Sequence, residues 1–179
     1  MLGLVRMIET FFSAVLKAGI PVALASYGLI WWALKNDYLE SVFSVKELEK
    51  EVKRQTKDKE AKLKADRVHS KWLAFGGGFY GVVGLLTYAV VELGEIRDFF
   101  LQFEGIGAFI SNISIEMFIG LFIEAFMNFV IAIAWPIYWL TEIRGGHVWI
   151  WFGMAYGGYW SGTRLALRQL ADRDDYPES

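Results

Sequence analysis

Polar or small residues recur at every fourth position through one otherwise apolar stretch: Asn112, Glu116, Gly120, Glu124 and Asn128. Steps of four keep these side chains on one slowly winding face of a helix. A carboxylate at membrane depth costs about 3 kcal/mol or more unless it is protonated, hydrogen-bonded or hydrated. The two glutamates lie about 12 Å apart along a helix axis, so they cannot share one proton or one ion unaided.

Two interpretations of this polar stripe are open. In the first, its Glu and Asn side chains hydrogen-bond to neighbouring helices or subunits, and Gly120 permits close helix approach. In the second, the stripe lines a path for protons or cations, with Glu124 as the relay group and Glu116 and Asn112 as its external approach. Lys17, near the external end of the first span, is a candidate counter-ion for Glu116, or else a side chain that snorkels to the interface.

The stripe must be positioned by long apolar helices. Four stretches contain no Asp, Glu, Lys or Arg, namely 18–34, 72–91, 125–141 and 145–163. Each approaches or reaches bilayer-spanning length. With 55% hydrophobic and 17% aromatic residues in a chain of 179, little is left for a separate soluble domain. The sequence therefore predicts an all-α, polytopic integral membrane protein with four transmembrane helices, located in the cell membrane, or in the inner membrane of a Gram-negative bacterium.

We expect a single membrane domain over residues 1–179. Its predicted parts are an N-terminal helix with the first span (1–34), a charged cytoplasmic arm (35–71), a second span (72–91), an acidic external loop with an interfacial or re-entrant helix (92–112), a third span (113–140), a fourth span (146–163) and a polar tail (164–179).

Two points of this topology have alternatives. Pro21 suits the first turn of a span that follows a separate helix over 2–16, but one longer tilted helix also fits. Four crossings place the C-terminal arginines outside, opposite the arm. If the last apolar segment were re-entrant, the C-terminus would be cytoplasmic.

The arm over 35–71 carries eleven of the 18 Lys and Arg residues, among them Lys46, Lys50, Lys53, Arg54, Lys62 and Arg67. Basic residues concentrate in cytoplasmic loops, which places the arm inside. Ser44 followed by Glu47 is a capping-box pattern, and several acid–base pairs at i,i+4 predict a charged helix that extends into the cytoplasm. It is either a solvated charged helix or hairpin, or a docking arm for a cytosolic partner or for anionic lipid headgroups. Eight interspersed acidic residues disfavour anionic lipid and nucleic acid alike.

Small residues four apart indicate close helix packing. They occur as Gly77 and Gly81 on the second span, and as two faces on the fourth, Gly153/Gly157/Ser161 and Gly158/Gly162. Two such faces on one helix exceed the needs of a small bundle. We therefore expect one face to contact neighbouring helices and the other a partner subunit.

Residue types with chemistry of their own are scarce. The chain has no cysteine, which excludes disulfides and thiol catalysis, and only two histidines, His69 and His147. A haem or metal held by this pair is disfavoured, because lone interfacial histidines are usually solvated or hydrogen-bonded. No nucleophile-elbow, zincin or P-loop spacing occurs. We expect no enzymatic activity, no metal and no cofactor.

The sequence thus favours a non-catalytic accessory, assembly or anchoring subunit of a larger membrane complex. Its partners would be the lipid bilayer, other membrane subunits or copies of itself, and a cytosolic partner at 35–71. The alternative function is a homo-oligomeric proton or cation channel or transport component that uses the Glu124 carboxyl group.

Overall fold

The computed structural model describes residues 2–39, 42, 44–57, 67–101, 114–143 and 147–174, without the side chains at 2, 99 and 170–174. Over these residues the chain is helical and contains no strand, so the predicted all-α class is confirmed. The elements are α1 (Leu2–Ala14), a π-helical turn (Val15–Gly19), α2 (Ile20–Lys35), α3 (Val45–Lys57), α4 (Arg67–Ala74), α5 (Gly78–Leu101), α6 (Ile115–Ile133), α7 (Trp135–Glu142) and α8 (Val148–Asp174).

Three helical stretches are long and apolar enough to cross a bilayer: Gly3–Lys35, Gly78–Asp98 and Ile115–Ile133. They are compatible with a membrane location. The structure supports three candidate spans rather than the predicted four. The last helix, α8, has 27 residues but does not belong to this set, because much of its apolar length is Gly, Trp and Tyr rather than aliphatic residues.

The N-terminal segment is one continuous helical stretch, as in the longer-helix alternative. A proline removes one backbone hydrogen bond and crowds the carbonyl group four residues earlier, which for Pro21 is that of Lys17. Lys17 lies in the π-helical turn, where the Ile20 N–H bonds to the Val15 carbonyl oxygen. The wider π-turn therefore lets the helix continue past Pro21.

The predicted single span over 113–140 is broken in the structure. Helix α6 ends at Ile133, and α7 begins after Ala134, where the backbone turns at φ −87° and ψ 23°. The Tyr80 hydroxyl donates to the Ile133 carbonyl, whereas Trp139 Nε1 donates to Thr87 Oγ1 at 2.8 Å. Because Thr87 lies farther along α5 than Tyr80, α7 runs back along α5 in the direction opposite to α6.

Helices α2 and α8 run parallel in close contact. A Cβ added to Gly158 would overlap the Gly19 carbonyl oxygen, and one added to Gly162 would overlap that of Ala23. Farther along, the Tyr27 hydroxyl bonds to Gln169 Oε1. The end of α8 therefore lies at the same end of the molecule as Lys35, which differs from the four-crossing prediction. The short return of α7 lets α8 run in the same direction as α2.

The buried core lies at this end, where α2, α3, α4 and α8 meet. Its largest members include Ile30, Leu48, Val52, Trp72, Leu73 and Tyr159. In contrast, the three candidate spans bury only 11% to 28% of their most apolar windows. The molecule thus has a compact layer at the charged end and an open layer of long apolar helices.

Candidate functional site

The structure divides the predicted stripe into an outward part and an inward end. Glu116 and Glu124 are exposed, and a Cβ added to Gly120 would meet no atom within 4 Å. Asn128 is only 3% exposed, and its Nδ2 donates to Glu95 Oε2 at 2.7 Å. The Asn128 side chain therefore ties α6 to α5, while Glu116, Gly120 and Glu124 face away from the described chain. Asn112 lies outside the described residues.

Glu124 lies on a strongly apolar surface. Its exposed neighbours on α6 are Leu121, Phe122, Ile123, Phe126 and Met127, each about half exposed or more. No described residue hydrogen-bonds to the Glu124 carboxyl group. On a helix that faces hydrocarbon, a carboxyl group is costly unless a hydrogen-bond donor from beyond the described residues reaches it.

Glu116 has a different setting at the start of α6. Ser114 caps this helix by accepting the Met117 N–H at 3.3 Å, and a glutamate in the first turn faces the positive end of the helix dipole. Lys17, its predicted counter-ion, instead lines a cavity together with Trp135 and Glu142. Among the described residues, no ion pair or hydrogen bond joins Lys17 to Glu116.

This cavity has a volume of about 590 Å³. It lies between the π-turn, α5, α7 and α8. Its walls include Trp135, Trp139, Trp151 and Phe152, with Lys17 and Glu142 as the charged groups. Its volume and its mainly apolar lining with few polar groups are typical of small-molecule pockets. Within the described chain, the buried indole N–H of Trp135 has no hydrogen-bond partner.

Sequence reasoning missed the cavity. The pairs Trp135/Trp139 and Trp149/Trp151 resemble interfacial anchors, because they fall near the ends of apolar stretches. Pro136, after the alanine at which α6 ends, was the available signal for a chain reversal. That reversal is what brings Trp139 beside Thr87 and makes a wall of α7.

The two predicted small-residue faces of α8 lie in different environments. Gly158 and Gly162 form the internal contact of α8 with the N-terminal helix, whereas Cβ atoms on Gly153 and Gly157 would meet nothing within 4 Å. Ser161 on that second face is exposed as well. The face Gly153/Gly157/Ser161 is therefore open on the protein surface.

The glycines of the predicted second span lie at close contacts with α3 and α4 rather than with another apolar span. Gly77 precedes α5 at φ +64°, where a side chain would be strained and would collide with Val52. A Cβ on Gly81 would lie 2.6 Å from the Trp72 carbonyl oxygen. These two glycines therefore hold α3 and α4 against the start of α5.

The predicted arm is folded onto the molecule. Helix α3 buries Leu48 and Val52, so it does not extend freely as expected. The reason is that its short apolar stripe packs against the rest of the molecule, where Val52 lies next to Gly77. The outward face carries the exposed basic residues Lys46, Lys50, Lys53 and Arg54, and Arg67 is exposed at the start of α4. Lys62 lies outside the described residues.

His69 belongs to a buried polar network under α3. It is 1% exposed, and its Nε2 lies 3.0 Å from Gln55 Oε1. Gln55 Nε2 in turn donates to the Tyr38 carbonyl at 2.8 Å and to Glu51 at 2.9 Å. Burial lowers the pKa of His69, so the ring is neutral at pH 7 and Nε2 donates to the amide oxygen.

The two histidines are not brought together. His147 is exposed and precedes α8, at the end of that helix remote from α3. Among the described residues, no group of three or more His, Cys, Asp or Glu side chains is placed to hold a metal ion.

Comparison with protein-family models, with curated proteins and with solved structures finds no match to this chain. The function must therefore be argued from the geometry of the stripe, the cavity and the charged end.

Proposed function

We propose that this protein is a membrane-embedded assembly or anchoring subunit that docks another membrane protein, or a second copy of itself, against the exposed face of α6. The observation that carries the proposal is the Glu124 carboxyl group, which lies among exposed apolar side chains without a described hydrogen-bond partner.

The energetics favour a partner at this face. Leaving a carboxylate in hydrocarbon costs about 3 kcal/mol or more, and a hydrogen-bond donor from another subunit would recover part of this cost. Gly120, one turn away, is open and permits close approach of a second helix. In lipid, hydrophobic burial contributes little to the association of helices. A polar contact beside a small residue can therefore determine which partner helix binds.

The remainder of the fold supports such a docking face. Asn128 anchors α6 to α5 through Glu95, and Tyr80 bonds to the carbonyl oxygen at the end of α6. Helix α5 in turn packs against α4 of the compact layer, where Gly81 lies next to the Trp72 carbonyl oxygen. The outward face of α6 is thereby presented in a fixed orientation, which lowers the entropic cost of binding.

The test is the subunit composition of the particle extracted in mild detergent, measured by native mass spectrometry. Glu124→Leu should release the partner while the protein stays folded, because it removes the only polar anchor proposed on that face. Glu49→Gln, a change at an exposed acid of α3, is the matched control and should leave the composition unchanged. A Glu124→Leu particle with its full complement of subunits would rule out docking through this carboxyl group.

A further variant, Glu124→Gln, tests the alternative function. If a homo-oligomer of Glu124→Gln stays assembled but loses proton or cation flux in liposomes, the carboxyl group serves a pathway rather than a contact. Loss of assembly in the variant supports docking.

A further inference from the structure

Three basic side chains converge where α8 meets the start of α3. A cleft of about 490 Å³ there is lined by Ser44, Val45, Lys46, Trp160, Arg164, Leu167 and Arg168. No acidic side chain of the described chain lines it, and none of the three cations pairs with a described carboxylate. Like charges gathered in this way repel one another unless an anion lies between them.

Local structure sets the geometry of this basic cleft. Arg164 and Arg168 are one turn apart on α8 and project from the same face. Lys46 lies in the first turn of α3, whose N-terminus is capped by Ser44 through the Glu47 N–H at 3.3 Å. The positive end of the α3 dipole therefore adds to the three cations. The Arg164 guanidinium lies 4.9 Å from the centre of the Trp160 ring, which orients it.

The cleft lies just beyond the apolar layer. The Tyr159 ring packs 5.6 Å from that of Phe79, the second residue of a candidate span. Arg164 follows Tyr159 by five residues, or about 7 Å along the helix. With the candidate span Gly78–Asp98 in a bilayer, this position corresponds to the headgroup layer, where Trp160 is also favourable.

The open face of α8 that carries Gly153 and Gly157, here called the furrow, lies on the same side of the helix as Trp160 and Arg164 of the cleft. Gly153, Gly157, Trp160 and Arg164 share one face of α8 by their spacing, and the two glycines leave space beside the helix. An acyl chain could lie along the glycines while its phosphate meets the arginines. The furrow favours a lipid over a soluble phosphate compound, because only the lipid has an acyl chain that could lie in it.

We propose that this cleft binds the phosphate headgroup of an anionic phospholipid of the surrounding bilayer. Phosphate accepts bidentate hydrogen bonds from arginine, and basic pockets beside membrane helices suit such headgroups. The acidic residues of the segment 35–71 disfavour lipid binding by that segment alone. Arg164 and Arg168 add positive charge next to this segment, because α8 runs parallel to α2 and brings both arginines to the end of the molecule where α3 lies. The site shares the membrane location with the docking proposal but not its surface.

The experiment measures lipid binding to the purified protein by native mass spectrometry. Phosphatidylglycerol and phosphatidylcholine with identical acyl chains are titrated separately. We expect preferential binding of phosphatidylglycerol, and about thirtyfold weaker binding in the double variant Arg164→Gln/Arg168→Gln, since each basic side chain near a bilayer surface contributes about fivefold. The control Lys53→Gln/Lys57→Gln removes the same charge two and three turns away along α3 and should bind normally. Equal binding of the two lipids by the unmodified protein, or equal loss in the control, overturns the proposal.

Two further arms address the source of the phosphate and the risk of misfolding. Glycerol 3-phosphate is added as a soluble competitor; if it displaces the lipid at an equal concentration, a soluble ligand rather than a lipid occupies the cleft. A Cβ at Gly157 meets no atom within 4 Å, so we expect Gly157→Leu to keep the fold, to fill the furrow and to lose bound phosphatidylglycerol. If this variant binds lipid normally, the acyl chain does not use the furrow and the proposed site is wrong.

Discussion

At the scale of single residues, the environment decides what each polar group does. Asn128 and Glu124 are one turn apart on α6, yet Asn128 is buried against Glu95 while Glu124 is exposed among apolar side chains. A spacing of four drifts around the helix, so only one end of the stripe can face α5. The same spacing therefore yields one internal contact and one unsatisfied carboxyl group.

His69 makes stability depend on pH. Its pKa is lowered below 6.5 by burial, so the unfolded chain binds its proton more readily than the folded chain does. Stability from the neutral ring is complete above pH 6.5 and falls as the pH drops from 6.5 towards the folded-state pKa. The buried Nδ1 has no described partner, so an added proton there gains no hydrogen bond.

We expect thermal unfolding in detergent to show a melting temperature that falls between pH 7 and pH 5 in the unmodified protein. The fall should be smaller in His69→Gln, whose side chain does not titrate. The exposed His147→Gln is the control and should retain the full dependence. An identical pH profile in all three proteins would show that His69 is not the titrating group.

At the scale of elements, small residues determine which helices touch. Helix α8 carries two glycine faces, and the face with Gly158 and Gly162 contacts the N-terminal helix backbone. The π-turn before Pro21 contributes Gly19 to this contact and places Lys17 on the cavity. One local irregularity thus serves both the packing of α8 and the lining of the pocket.

Neighbouring glycines provide a sharp test of this packing. Gly158→Ala puts a Cβ onto the Gly19 carbonyl group, so α8 must move away, and overpacking of this kind costs about 1–3 kcal/mol. Gly157→Ala meets nothing and should be stabilising by about 0.5–1 kcal/mol, because alanine favours the helix. Denaturant unfolding of both variants measures the difference. Equal stability of the two would contradict the close contact of α8 with Gly19.

At the scale of the whole molecule, charge and burial divide the chain into two layers. The compact layer gathers α3, α4 and the ends of α2 and α8, and the open layer holds the long apolar helices. The parallel course of α2 and α8 brings Arg164 and Arg168 to the layer that carries the basic face of α3. By the positive-inside tendency, we propose that this layer faces the cytoplasm.

Since the chain has no cysteine, single-cysteine variants can test this arrangement in membrane vesicles. Lys53→Cys and Arg168→Cys should react with an impermeant maleimide from the same side. Glu116→Cys, at the start of α6, should react from the opposite side, because α6 descends towards the compact layer. Labelling of positions 53 and 168 from opposite sides would restore the topology with four crossings.

The sequence by itself determined the helical class, the apolar stretches and the concentration of charge over 35–71, because periodicity and composition are properties of local segments. It also indicated the small-residue faces of α8. Only the tertiary structure decided which face packs, because close approach depends on the neighbour that each glycine meets. The reversal at Ala134, the cavity around Trp135 and Trp139, and the basic cleft followed from contacts between segments far apart in the chain. No local pattern encodes such contacts, since they arise only when separate helices share the same space.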